Sequence, residues 1–226
     1  AQVLELLEEY IEIRESDILP NRMRKVIPTK YTDAFVQQYM KDPDSVDKDK
    51  KEQFEMLLKQ VGIDLEYQFF VKEYQGQDDL FGVVIDRDYN THTVMQLNEI
   101  RKQCIEKGYH FFITTPCFEF WLLLHLVDVK KQYKGDMQKF RDNEKKTNKH
   151  TFTSLQVSEY AGHSKKISEK IFRQYYLNHI DYAISQVQKL FSTDVKKFIG
   201  TDETEDSKKG KLGSNLPELF KLLREL

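Results

Sequence analysis

Between Phe81 and Val127 the chain alternates two kinds of apolar segment, and this alternation restricts the fold more than any other feature. LFGVVID (80–86) is short, β-branched and apolar until Asp86, which predicts a strand buried on both faces. HTVMQLNEIRKQCIEKG (92–108) places Val94, Leu97, Ile100, Cys104 and Ile105 at helical spacing and stops at Gly108. YHFFITTP (109–116) predicts a second strand, and CFEFWLLLHLV (117–127) a buried helix. Strand, helix, strand, helix is the order of a parallel α/β fold, because parallel neighbours need a crossover between them. Ligands in such sheets sit at the carboxyl ends of the strands. One such end carries Asp86-Arg87-Asp88, and the next carries Thr114-Thr115-Pro116.

The flanking segments read mainly as helix. Residues 1–15, 31–41 and 52–63 have helical apolar spacing, with Thr32 or Asp33 as a cap and Gly62 as a left-handed stop. This first segment is amphipathic and does not resemble an export signal. LEYQFFVKEY (65–74), aromatic and β-branched, predicts a strand, and YQGQDD (74–79) a turn. After Val129 the chain turns polar: 130–150 reads as a loop or exposed helix, and 164–191 as a long helix or helix pair. The charged stretch 198–215 reads as a linker. Residues 215–226 form a closing helix, with Ser214 or Asn215 as its cap and Pro217 in its first turn. Two domains are expected: an α/β core over 1–130 with an N-terminal helical segment, and a mainly helical extension over 131–226 packed on it.

Composition narrows the function classes. A formal net charge of -2 excludes a chain coated in basic charge, though a local basic face remains open. Lysines 130–131, 145–146, 165–166 and 208–209, with Arg141 and Tyr133 among them, form such a face or are ordinary solvated positions. Two separated cysteines, Cys104 and Cys117, predict reduced thiols and a cytoplasmic protein. No apolar run reaches the roughly 20 residues of a membrane span. Phosphate-loop, dinucleotide, zinc-protease and serine-hydrolase motifs are absent from the sequence, so nucleotide hydrolysis by this chain is disfavoured.

Asp86 and Asp88 are two apart, so on extended backbone they share a side. They read either as a strand-end cap or as hard oxygen ligands for Mg²⁺ or Mn²⁺, with Arg87 turned away or toward a phosphate. Glu119 sits in an otherwise apolar segment, where a carboxylate needs a partner. It is a local cap or a third carboxylate. His125, six positions on, does not share a helical face with Glu119 and is either a core histidine or a phosphate-stabilising group.

Together, VVIDRDYN and TTPCFEFWLLLHL resemble the RloB-like family, whose pattern is a D-R-D turn followed by S-N-P-x-F-E-x-W-L-L-L-H. Here Thr114-Thr115 replaces Ser-Asn. The tail GSNLPELFKLLREL is similar to the family's G-[ST]-N-x-x-x-L-x-x-L-L ending. The likeness is strong over 80–130 and weak over 210–226. It implies a TOPRIM-like central parallel sheet flanked by helices, and a metal-dependent nuclease in bacterial anti-phage defence beside an ATPase partner. On that reading Asp86 and Asp88 match the acidic pair, and Glu119 and His125 fall in the second block. The family's opening E-G-x-x-T-E is absent, with Thr32-Asp33 standing nearest its T-E slot. The expected function is therefore cleavage of DNA or RNA with Mg²⁺ or Mn²⁺. In it, Asp86 and Asp88 bind metal, Glu119 orients the site, and Arg87 or His125 stabilises phosphate charge. The alternative is a non-catalytic sensor or regulator of an ATPase, and homo-oligomerisation stays open in both.

Overall fold

The computed structural model describes residues 2–16, 19–73, 80–162 and 167–225. The chain divides into two compact units, residues 1–79 and 80–226.

The first unit is helical: α1 (Gln2–Glu15), α2 (Asn21–Arg24), α3 (Asp33–Lys41), α4 (Lys48–Val61) and α5 (Leu65–Glu73). Thr32 caps α3 by accepting from the Phe35 amide, and Gly62 ends α4 at φ 69°. Tyr31, Phe35 and Phe54 form the aromatic centre of its core, with Tyr31 and Phe54 ring centroids 4.6 Å apart. Residues 65–73 are helix, not the predicted strand. Asp64 accepts from the Tyr67 amide at 2.9 Å, and the buried Leu65, Gln68 and Val71 recur every third residue. The expected turn at 74–79 lies outside the described residues.

The second unit is α/β. It runs β1 (Gly82–Asp86), α6 (Val94–Glu106), β2 (His110–Thr115), α7 (Phe118–Leu126), α8 (Val129–Gln132), α9 (Met137–Asp142), α10 (Phe152–Ala161), α11 (Glu169–Tyr175), α12 (Ile180–Leu190), α13 (Val195–Ile199), β3 (Gly213–Ser214) and α14 (Leu216–Glu225). β1 and β2 pair in parallel with Ile85 opposite Ile113, and the two-residue β3 joins β2 antiparallel. The sheet is thus small and mixed, in the order β1-β2-β3, rather than an extended parallel one. β1 lies at its edge and alternates in burial: Val83 and Ile85 face the core while Val84 is 50% exposed. The expected two-sided burial fails because only one face of this edge strand is covered.

The core forms around α7, whose residues Phe120 to His125 are all buried. A helix apolar on every side must be surrounded, and α9, α10, α12 and α14 supply Phe140, Val157, Val187 and Leu216 to the same cluster. Each such side chain contributes about 1.5–3 kcal/mol when fully buried. The division of the chain consequently falls at residue 79 and not at the expected 130, since the helices after 131 share one core with the sheet. Of the stretch 164–191, residues 164–166 lie outside the described residues, and the rest carries a helix pair, α11 and α12, as one of the two expectations had it.

The stretch 198–215, which reads as a linker, is fastened down. The carbonyls of Ile199 and Lys208 accept from Arg87, and that of Gly210 accepts from Arg141 Nε at 2.7 Å. Asn215 does not serve its own helix with its side chain. It accepts from the Ile113 amide at 2.7 Å and donates to the Phe111 carbonyl at 2.8 Å, acting as a side-chain extension of the sheet.

Candidate metal centre

The parallel register sets Asp86 beside Thr114, and the Arg87 amide continues the ladder by donating to the Thr114 carbonyl at 2.9 Å. The D-R-D turn therefore lies next to the turn that leads through a cis Thr115–Pro116 bond into α7. Asp86 Oδ1 accepts from the Phe118 amide at 2.8 Å. This amide is one of the donors a helix leaves free at its start, and Cys117, at the cap position, satisfies none with its side chain.

The Asp86 carboxyl is pushed up to about 6. Loss of solvation is the largest cause, the Glu119 charge the second, and Asp88 a smaller one, while the Phe118 hydrogen bond pulls the other way. The residue is exposed at the surface yet ringed by enough protein atoms to lose part of its hydration. It is accessible to a small ligand and poorly hydrated at once. Its neighbour Cys117 is buried, and its thiol is raised well above the ordinary value by burial, then by the Glu119 and Asp86 charges. It is a thiol at neutral pH, with Asn143 Nδ2 donating to its sulfur at 3.5 Å.

Asp88 is exposed, and both its oxygens are engaged locally: Oδ1 accepts from the Asn90 amide and Oδ2 from the Thr91 hydroxyl, each at 3.0 Å. Asp88 shapes the turn; the cap of α6 is Thr93, in a reciprocal box with Gln96. Arg87 points the opposite way and is 0% exposed. Its guanidinium donates to the carbonyls of Ile199 (3.0 Å), His92 (3.1 Å) and Lys208. Burial lowers its pKa, with Glu203 and Asp88 opposing. The guanidinium expected to face a phosphate is here a buried tie between β1 and the 198–210 stretch.

Glu119, half-buried in the first turn of α7, faces Asp86 closely enough to raise its pKa. His125 is at the other end of the same helix, about 9 Å further along its axis. It is buried, bonds the Trp121 carbonyl through Nδ1 at 2.9 Å, and stands edge-on to the Trp121 and Tyr176 rings. Burial depresses its pKa to about 4. It lines a separate cavity with Tyr160, His179 and Tyr182, away from the carboxylates.

The chain thus brings together Asp86, Glu119 and, at the rim, Asp88, and leaves Arg87 and His125 elsewhere. Sequence reasoning missed Cys117 and Asn143 as members of this cluster. Cys117 sits two residues before Glu119, and Asn143 ends α9 at φ 42°, a conformation asparagine tolerates; that spacing is the signal available. Among the described residues no three His, Cys, Asp or Glu side chains converge enough to enclose a metal. Two repelling carboxylates at an open edge still fit a hydrated Mg²⁺ or Mn²⁺, which takes one or two carboxylates and keeps several waters.

The RloB-like protein family matches residues 8–222, nearly the whole chain. The chain belongs to that family. No curated protein and no solved structure matches it. The match takes in most of the first unit as well as the 80–130 stretch and residues 210–222 of the 210–226 stretch on which the likeness was read. In this RloB-like chain those two stretches meet physically: Thr114 and Ser214 hydroxyls bond at 2.8 Å, and Asn215 grips β2. The Thr32-Asp33 pair, nearest the family's missing T-E, is engaged in starting α3 and in an ion pair with Arg24.

Proposed function

We propose that this chain is a divalent-cation-dependent phosphodiesterase acting on nucleic acid, with the cation held at Asp86 and Glu119. The observation that carries the reading is that the end of β1 and the first turn of α7 meet through the Phe118 amide and Asp86 Oδ1, which sets Asp86 beside Glu119. Loss of solvation first, and the Glu119 charge second, push Asp86 up to about 6 despite that hydrogen bond. Such a pair is relieved by a shared proton or by a bridging cation. A divalent ion bound there supplies charge neutralisation at a phosphoryl oxygen and a more acidic water. The remaining work falls to the chain. Phe118 N–H fixes one Asp86 oxygen and leaves the other to face the ligand. The Asn90 and Thr91 contacts hold Asp88 at the rim. Cys117, uncharged, adds no further repulsion. The TOPRIM-like assignment, the cytoplasmic setting, the anti-phage role and the ATPase partner belong to the same proposal and rest on the family likeness.

The test is cleavage of end-labelled DNA and RNA, single and double stranded, with Mg²⁺, Mn²⁺ or chelator. Metal-dependent cutting that falls at least 100-fold in Asp86→Asn and Glu119→Gln supports the proposal. Wild-type protein that cuts none of them with either metal defeats it.

A second reading has its own observation. With both Asp88 oxygens engaged in its turn, Arg87 buried and one Asp86 oxygen held by the Phe118 amide, the D-R-D segment is largely committed to local structure, which suits a regulatory module of an ATPase better than a nuclease. Cation-induced stabilisation without cleavage favours this reading.

A further inference from the structure

Asp88 and Pro116, one from each turn at the carboxyl edge of the strands, also line a polar cavity of about 280 Å³. Its opposite side is the segment after α9, which contributes Lys145, Asn148, Lys149 and His150. This segment is a closed hairpin. Lys145 and Thr151 form a β-bridge, the Phe152 amide donates to the Glu144 carbonyl at 2.8 Å, and the Lys146 amide to the His150 carbonyl at 2.9 Å. At the tip, Thr147 Oγ1 accepts from the amides of Lys149 (3.2 Å) and His150 (3.0 Å). The side chains it presents are therefore carried on a fixed backbone.

Charge in the cavity is divided. The acids along it already have partners: Asp142 is paired with Lys209 at 2.6 Å, Glu144 with Lys146 at 3.0 Å, and Asp88 with its own turn. Lys145 and Lys149 are exposed and form no ion pair among the described residues. An unneutralised positive wall thus stands across a narrow polar space from the acidic sheet edge. Many of the lysines that suggested a basic face do not share this property: Lys146, Lys208 and Lys209 are each paired with a neighbouring acid, and 165–166 lie outside the described residues.

A ligand that fits both walls carries regularly spaced anions, one able to meet a cation at the carboxylates and another to meet ammonium groups. We propose that this cavity binds a backbone phosphate of a nucleic-acid strand next to the phosphate held at Asp86 and Glu119, with Lys145 and Lys149 as the contacting groups. Asn148 and His150 add hydrogen-bonding groups beside it. The inference rests on the reading of the adjoining carboxylates as a nucleic-acid site, and it names how the substrate is held there.

The experiment is fluorescence anisotropy of labelled oligonucleotides of about 12 nucleotides, DNA and RNA, at several salt concentrations in chelator. A mononucleotide serves as competitor. Wild type is expected to bind at least one oligonucleotide, with the mononucleotide competing weakly. Lys145→Ala/Lys149→Ala is expected to bind about tenfold more weakly, with a log K against log salt slope shallower by about 1.4, the value for two lost contacts to a single strand. Lys130→Ala/Lys134→Ala removes equal charge from outside the cavity and should change neither. All four side chains are exposed, so folding should be intact; the single variants Lys145→Ala and Lys149→Ala repeat the test if the double is not.

Unchanged affinity and slope in the cavity variants, an equal loss in the control, no wild-type binding, or tighter binding of the mononucleotide overturns the proposal. Because no cation is present, the two readings fail separately. Binding through Lys145 and Lys149 without any cutting in Mn²⁺ removes the phosphodiesterase reading alone. Cutting that persists at unchanged affinity without those lysines removes this one alone.

Discussion

Asp86 Oδ1 accepts the Phe118 amide proton at 2.8 Å, so one carboxylate both ends β1 and satisfies the first turn of α7. Asparagine keeps that acceptor and removes the charge that Glu119 repels. Asp86→Asn should therefore melt at the same temperature as wild type or higher in chelator at pH 7.5. Asp86→Ala loses the acceptor and should be less stable than Asp86→Asn by about 1 kcal/mol, the usual worth of a helix cap. Urea unfolding of the three proteins compares them.

His125 gives a pH signature of known sign. Its pKa is about 4 in the folded chain and near 6.5 unfolded, so between these values the unfolded chain takes up the proton first. Stability should fall as pH drops through this window, by roughly 3 kcal/mol in total. Asp86 acts oppositely, gaining its proton first in the folded chain as pH falls through about 6. The comparison must isolate His125: the wild-type minus His125→Phe difference in unfolding free energy, measured from pH 7.5 to 4, should shrink on acidification.

Arg87 is predicted to be structural. Arg87→Met leaves the Ile199, His92 and Lys208 carbonyls without their donor and should cost on the order of 3 kcal/mol or more. Denaturant titration reads this directly. An Arg87 variant of unchanged stability that lost only nucleic-acid cleavage would instead place the guanidinium on the phosphate.

Asn215 fastens the tail to the sheet by both ends of its amide. Asn215→Ala should cost about 2 kcal/mol, because it orphans the buried Ile113 amide. Asn215→Asp should recover part of this loss, since a carboxylate still accepts from that amide. Thermal melts of the pair check both statements.

The alternation from β1 to α7 was legible because each segment had a distinct period and an end signal, such as Gly108 after α6. The meeting of the two turns followed from parallel pairing alone. Residues 65–73 were misread because aromatic and β-branched composition outweighed a three-residue spacing whose middle member, Gln68, is polar yet buried. The stretch 198–210 looked like a linker because its ties to the buried Arg87 use backbone carbonyls, which carry no side-chain signature, and its charged side chains that pair with Arg141 and Asp142 are of types that solvated linkers also carry. For the site, spacing placed Asp86 and Asp88 on one edge and separated Glu119 from His125. It could not show that Asp88 would be engaged by Asn90 and Thr91, nor that Arg87, between two exposed acids, would be buried.

The most direct test of the account is the melting temperature of wild type, Asp86→Asn and Glu119→Gln with and without millimolar Mn²⁺ or Mg²⁺. At about a hundredfold excess over Kd a bound ion stabilises by about 2.7 kcal/mol, on the order of 5–10 °C for a unit of this size. The account predicts such a rise in wild type and its loss in both variants. Identical melts with and without the cations, or a rise that both variants retain, would contradict it.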